Sequence, residues 1–143
     1  MRKVPRAKAR RYLVFVAHSG VDTWVAKQLA QRMKSAGATY FLDADKTELG
    51  DEYSAKIRGA LKKAQEFVVL LTPDAAKSAY VWAEVGSAWG RGIRIVVILY
   101  KITKGELLAR PDIPVFVKAF RLADINTETD AYIAELKKRV SKK

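Results

Sequence analysis

The chain reads as an α/β protein of flavodoxin-like design: a five-stranded parallel sheet in the order 2-1-3-4-5, flanked by helices in three layers. Three observations lead there. Short apolar runs rich in β-branched and aromatic residues alternate with longer amphipathic stretches, the pattern of repeated strand–helix–strand units. The runs are apolar throughout rather than at every second residue, as in strands covered on both faces. Finally, 143 residues, 50% of them hydrophobic, suit one domain with a real core.

Tyr12-Leu-Val-Phe-Val-Ala17 is the first strand. Asp22 precedes a helix in which Val21, Val25, Leu29 and Met33 recur every four residues, one face of a 3.6-residue period. Gly37 stands where a left-handed cap ends such a helix. Thr39-Tyr-Phe-Leu42 is the second strand, and Asp43 to Gly50 a polar loop. A second helix runs from Asp51, with Tyr53, Ile57, Leu61 and Ala64 on one face. Phe67 to Leu71 is the third strand, broken by Thr72-Pro73-Asp74. The third helix covers Ser78 to Trp89, with Ser78 as its N-cap, and ends near Gly90 and Gly92. Ile93 to Leu99 is the fourth strand. A loop with Gly105, Pro111 and Pro114 follows, with a short helical turn at Glu106–Ala109. Val115-Phe-Val117 and Phe120 are expected to form the fifth strand. Tyr132, Ile133, Leu136 and Val140 mark a terminal helix.

The composition excludes several chemistries. Without cysteine there is no disulfide, thiolate nucleophile or Cys-based zinc site. With His18 the only histidine, a multi-histidine metal site is excluded and any Ser-His-Asp triad must use it. No phosphate-cradling G-x-x-x-x-G-K-[ST] loop or G-x-G-x-x-G turn follows a strand. Thr72-Pro73 stands where a phosphoryl-accepting regulator needs a carboxylate. A flavin site is not excluded, but the loop after the first strand lacks the Ser/Thr/Gly richness suited to a phosphate. Asp43, Asp45, Glu48 and Asp51 cluster without calcium-loop spacing, so no metal is expected.

The formal charge of +12 resides at the two ends. Residues 1–11 hold six Lys and Arg, residues 137–143 hold five, and neither stretch holds an acid. The remaining 16 basic and 15 acidic residues leave the core nearly neutral. The core is therefore not built as a nucleic-acid groove; the tails are either solvated extensions or contacts for nucleic acid or lipid. The basic N-terminus has no apolar signal-like stretch, and no apolar run approaches the ~20 residues that cross a bilayer. A cytoplasmic location is expected.

In such sheets ligands bind at the carboxyl ends of the strands, near the switch between strands one and three. His18-Ser19, the loop 43–50 and the segment 72–84 are expected there. On the third helix Tyr80, Glu84 and Ser87 share one face, while Val81, Val85 and Ala88 share another suited to the sheet. An aromatic plane beside a carboxylate suits a nucleotide-sugar ligand. A carboxylate also stabilises an oxocarbenium-like centre as a glycosidic bond breaks. A surface glutamate on an amphipathic helix is the alternative reading of Glu84 alone. Trp82 and Trp89, seven apart, are expected to share a stripe packed on the sheet or a partner.

Three segments in order resemble the Toll/interleukin-1 receptor (TIR) domain family, especially its bacterial standalone members. Tyr12 to Asp22 looks like the first family box, Leu42-Asp43 through Leu49-Gly50-Asp51 like the second, and Ser78-x-Tyr80-Val-x-x-Glu84 like the Ser-x-Trp-x-x-x-Glu element. The resemblance spans about residues 12–140, between a basic tail at 1–11 and a basic end at 141–143. It implies cleavage of NAD+ at the nicotinamide–ribose bond, giving nicotinamide and ADP-ribose or a cyclic isomer, in bacterial anti-phage signalling. Glu84 matches the catalytic glutamate, and Tyr80 stands where the family usually has Trp. His18 and Ser19 match nucleotide-contacting positions. Asp45 and Leu49 lie in the loop that in relatives packs on a neighbouring TIR domain to complete the site. No resident cofactor is implied, NAD+ being the substrate. TIR–TIR self-association, in some relatives filamentous, and a separate effector or sensor protein are the implied partners. A non-catalytic TIR–TIR interaction module is the alternative function.

Overall fold

The structure is a computed structural model that describes residues 11–42 and 53–142. Five parallel strands lie in the order β2-β1-β3-β4-β5: β1 Leu13–Ala17, β2 Thr39–Leu42, β3 Glu66–Leu71, β4 Arg94–Leu99 and β5 Leu122–Asp124. Among the described residues six α-helices connect or follow them: α1 Thr23–Ser35, α2 Tyr53–Lys63, α3 Pro73–Ala76, α4 Ala79–Arg91, α5 Lys104–Leu108 and α6 Ile125–Ser141. The expected strand order and layering are therefore present.

Two apolar cores sandwich the sheet. One packs α1 and α6 (Leu29, Met33, Tyr132, Leu136) on Val14, Val16, Val68, Leu70 and Ile98. The other packs α2, α4 and α5 (Ile57, Leu61, Val81, Val85, Leu107) on Phe15, Phe67, Val69 and Leu99. Alternate residues of β1 and β3 thus serve opposite layers. In the second core, Phe15 stands in register with Phe41 on one side and Phe67 on the other. Their rings stack at centroid distances of 5.2 and 5.4 Å. This aromatic row lies in the layer that carries α2 and α4.

The fifth strand differs from expectation. Val115–Ala119 forms a 3-10 helix after Pro114, and Leu122–Asp124 pairs with Val97–Leu99 instead. The β-favouring Val-Phe-Val run is overridden by packing: Val117 is buried while Val115, which a strand would aim the same way, is 81% exposed. Val21 is also displaced from the expected helix face. It sits in a 3-10 turn, Gly20–Asp22, and is 76% exposed, leaving Leu29 and Met33 as the buried stripe of α1. The Thr72-Pro73 break is itself a short helix start, with Thr72 Oγ1 accepting from Ala75 N at 3.0 Å and Pro73 in the first turn.

Buried Glu66, at the start of β3, escaped the strand pattern. It is fully enclosed, yet every lone-pair direction is answered. Arg139 of α6 grips it with two nitrogens, at 2.8 and 3.0 Å. The hydroxyls of Tyr12 and Tyr132 donate to it at 2.7 and 2.5 Å. Burial, then the adjacent carboxylate, pushes the Tyr12 phenol up to about 12 and Tyr132 further still. Among the described residues no helix is long and apolar enough to cross a membrane.

Candidate active site

The site is assembled by α4 against α2. Ser78 caps α4, its side chain accepting from Val81 N at 3.3 Å, and Gly92 closes it in the left-handed conformation (φ +72°). With both ends fixed, the helical period sorts the side chains. Val81, Val85 and Ala88 are buried against the sheet. Trp82 is held on the neighbouring flank, its indole N–H donating to the Ala76 carbonyl at 2.8 Å. Trp89 does not pack on the sheet; it stacks on Phe116 of the 3-10 helix at 4.8 Å.

The remaining face opens onto a cleft of about 440 Å³, within the size range of small-molecule sites. From α4 it is lined by Tyr80, Ala83, Glu84 and Ser87; from α2 by Ile57, Arg58 and Leu61. The Ser87 hydroxyl donates back to the Ala83 carbonyl at 3.0 Å. Tyr80 is 67% exposed and Glu84 half-buried. A phenol ring open to solvent and a partly shielded carboxylate therefore stand one helical turn apart at the mouth of an apolar-floored cleft. The floor belongs to the core: Ile57 and Leu61 are buried in the cluster that includes Phe15 and Phe67.

Of the six residues singled out from sequence, the cleft brings together Tyr80 and Glu84. His18 and Ser19 lie at the end of β1, outside the lining of this cleft. The His18 ring is held by Nδ1, 2.8 Å from the Ser19 carbonyl oxygen. A carbonyl only accepts, so Nδ1 carries the proton and, in the neutral ring, Nε2 presents a lone pair. That Nε2 is buried and has no hydrogen-bond partner among the described residues, an acceptor left for a donor from elsewhere. Asp22 closes the same turn, its backbone N–H donating to Ser19 O at 3.0 Å. Its buried carboxylate accepts from Thr72 Oγ1 at 2.6 Å. Asp45 and Leu49 lie outside the described residues, as do Asp43, Glu48 and Asp51. No group of three or more metal-ligating side chains occurs among the described residues.

Arg58 was missed by sequence reasoning. Its signal is present, since it follows Ile57 of the buried stripe on a helix with no acid between residues 53 and 63. What the sequence lacks is the spatial placement of α2 that brings Arg58 into the lining of the same cleft as Glu84.

A sequence profile of the TIR domain matches residues 14–138. Over 100 residues, 68% of this chain, the sequence is 33% identical to a probable 2′ cyclic ADP-D-ribose synthase, BdTIR, of Brachypodium distachyon. Over 104 residues it is 26% identical to the 2′ cyclic ADP-D-ribose synthase BtTIR of Bacteroides thetaiotaomicron. The matched stretch spans only 45% and 36% of those two proteins. The fold is shared with the TIR domain of the Toll-related receptor TRR-2 from Hydra magnipapillata. The TM-score there is 0.68 at 18% identity, covering 90% of this chain and 97% of that one. It is shared also with a metazoan TIR-STING receptor from C. gigas, at TM-score 0.69 and 16% identity, over 94% of this chain and 42% of that one.

Proposed function

Since the chain belongs to the TIR domain family, we propose that it cleaves NAD+ at the nicotinamide–ribose bond with Glu84 as the catalytic carboxylate. One observation carries this reading: Glu84 and Tyr80 face a single cleft, one helical turn apart. As the C1′–N bond breaks, its electron pair passes to the nicotinamide nitrogen and neutralises that ring. Positive charge is left on the ribose C1′–O4′ unit. A fixed carboxylate facing that charge lowers the barrier because it is already oriented. Tyr80 supplies a flat apolar surface for a ring of the dinucleotide. Water attacking C1′ gives ADP-ribose; a nucleophile of the same molecule closes a ring. The names of the two relatives favour the ring-closing branch.

In this reading Asp45 and Leu49 of the 43–50 segment complete the site when copies associate, and His18 and Ser19 contact the nucleotide. Nothing resident is needed beyond NAD+ itself. The setting is cytoplasmic, in bacterial anti-phage signalling with a separate effector or sensor; the Bacteroides relative supports the bacterial side of it.

The test is chromatography of nicotinamide and ADP-ribose products from concentrated, assembled protein. Glu84→Gln keeps the shape of the side chain and removes its charge. It is expected to lower turnover at least about 100-fold, the scale for losing one preorganised electrostatic group, with thermal unfolding unchanged. Equal turnover by a folded Glu84→Gln chain refutes the role of Glu84. An assembled wild-type chain that leaves NAD+ intact refutes the enzyme and leaves an interaction module.

A further inference from the structure

The charges of the domain nearly cancel in sum, but the fold sorts them by end. All five strands are parallel, so each segment that enters a strand arrives at one end of the sheet. The helices that run back across the sheet finish there too. Three contacts tie these ends together. Arg139 of α6 reaches Glu66 at the start of β3, the Arg91 guanidinium at the end of α4 donates to the Leu61 carbonyl of α2, and the backbone at Gly37 after α1 lies close to Val140 of α6. The segments gathered at this amino end are 11–12, 32–38, 60–66, 88–94, 120–121 and 138–142. They hold eleven Lys and Arg and a single acid, Glu66, which is buried and gripped by Arg139. Ten of the eleven are exposed. At the opposite end, the described segments 18–24, 72–80, 100–106 and 125–128 hold three Lys and four acids.

Local demands account for part of this charge. Cations are favourable where helices end, because each C-terminus carries roughly −0.5 of a charge. α1, α2, α4 and α6 end here, about −2 together, against ten exposed cations. Arg32 pairs with Asp130, and Arg121 with Glu128 and Glu135. Among the described residues no ion pair reaches Lys34, Lys62, Lys63, Arg94, Lys138 or Lys142. These six come from both helical layers and from the sheet between them.

We propose that this amino end of the sheet is a binding face for the phosphate backbone of duplex nucleic acid. Five strands about 4.8 Å apart make the face about 20 Å wide. A duplex of that length presents about twelve phosphates, a charge density that ten cations answer. An anionic membrane fits less well, because surface binding to lipid also gains from buried apolar side chains. Val21, Trp24 and Tyr80, three of the large exposed apolar residues, stand in segments at the opposite end. Residues 1–10 add five Lys and Arg and join the chain at Arg11, on this same end. Contacts to phosphate carry no base sequence, so the binding is indifferent to sequence. It is also independent of the Tyr80–Glu84 cleft, none of whose lining side chains is among these cations.

The experiment is fluorescence anisotropy of a labelled DNA duplex of about 20 base pairs with the full chain, at salt from about 50 to 200 mM. The wild type is expected to bind with log K falling linearly in log salt, at a slope of about −5 or steeper, as six phosphate contacts require. Lys62→Gln, Lys63→Gln and Arg94→Gln together are expected to weaken binding at least about tenfold and to make the slope shallower by about 2.5 to 3. A second triple from the other layer, Lys34→Gln, Lys138→Gln and Lys142→Gln, is expected to match it. The control Lys77→Gln, Lys101→Gln and Lys104→Gln removes the same net charge from the opposite end and is expected to change affinity no more than about twofold. All nine side chains are exposed, and thermal unfolding checks that each variant is folded. Equal losses in the control and the two test triples overturn the proposal, since net charge alone is then at work. Full binding by both test triples, with loss when the five cations of residues 1–10 are replaced by Gln, also overturns it and assigns binding to that segment. Absence of duplex binding at about 50 mM salt overturns it outright; capture by vesicles of phosphatidylcholine and phosphatidylserine in its place makes the partner a membrane.

Discussion

Arg139→Ala is expected to be strongly destabilising. Arg139 is the only cation that reaches the Glu66 carboxylate among the described residues, and Glu66 is fully enclosed. Removing it leaves a buried negative charge answered by two tyrosine hydroxyls alone. Breaking a buried pair in this way typically costs 3–5 kcal/mol. Because the Arg139 side chain keeps 20% exposure, the lower end, about 3 kcal/mol, is the appropriate figure. With an unfolding entropy of about 2.1 cal/mol/K per residue, a chain of 143 residues loses roughly 10 °C in Tm. Arg121→Ala is the matched control. Arg121 also meets two carboxylates, Glu128 and Glu135, but is 71% exposed, so its loss costs under about 1 kcal/mol. Urea and thermal unfolding of the two variants measure the difference. Adding Glu66→Gln to Arg139→Ala removes the stranded charge and is expected to restore part of the loss. Equal Tm values for the Arg139 and Arg121 variants, or no restoration by Glu66→Gln, refute the assignment of the buried pair.

Three further outcomes rest on the same fold. Tyr12 and Tyr132 hold their protons above the ordinary tyrosine value when folded. Their contribution is therefore full below about pH 10, where unfolded tyrosine ionises, and is lost as pH rises through the folded value of about 12 for Tyr12; Tyr132→Phe flattens the alkaline fall in denaturant midpoint. Gly37 (φ +99°) and Gly92 (φ +72°) both occupy left-handed backbone, but a Cβ at Gly37 meets Val140 Cγ1 at 3.2 Å while one at Gly92 meets nothing within 4 Å. Alanine at 92 is expected to cost about 1 kcal/mol and alanine at 37 more, read as the order of their urea midpoints. Thr72→Val removes both the α3 cap and the donor to Asp22, for about 2–3 kcal/mol with a buried carboxylate left short of a partner; a loss under 0.5 kcal/mol contradicts that geometry.

The sheet order and the two faces of α4 were legible because each rests on a local period. Val81, Val85 and Ala88 had to go inward, so Tyr80 and Glu84 had to share the other side. Glu66 was not legible, since a carboxylate before Phe67 reads as the exposed start of a strand. Its partners lie 54 to 73 residues away in sequence. The run 115–117 misled for the opposite reason: its composition favours a strand, but the edge of β4 is taken by Leu122–Asp124. Arg58 combined both problems, an ordinary surface position that lines the cleft only through the tertiary placement of α2, which no local pattern encodes.

The Glu66 clasp also bears on the order in which the chain is made. Ribosomal synthesis delivers β1, β2, α2 and β3 long before Tyr132 and Arg139 exist. Through that interval the third strand, which pairs beside β1 at the centre of the sheet, begins with a carboxylate for which Tyr12 is the one of its three side-chain partners already made. Until α6 packs, water must answer the rest of that carboxylate, so this end of the sheet stays open to solvent. Fragments ending before α6 lack two of the three side chains that hold Glu66 and are expected to be cleaved by protease faster than the whole chain.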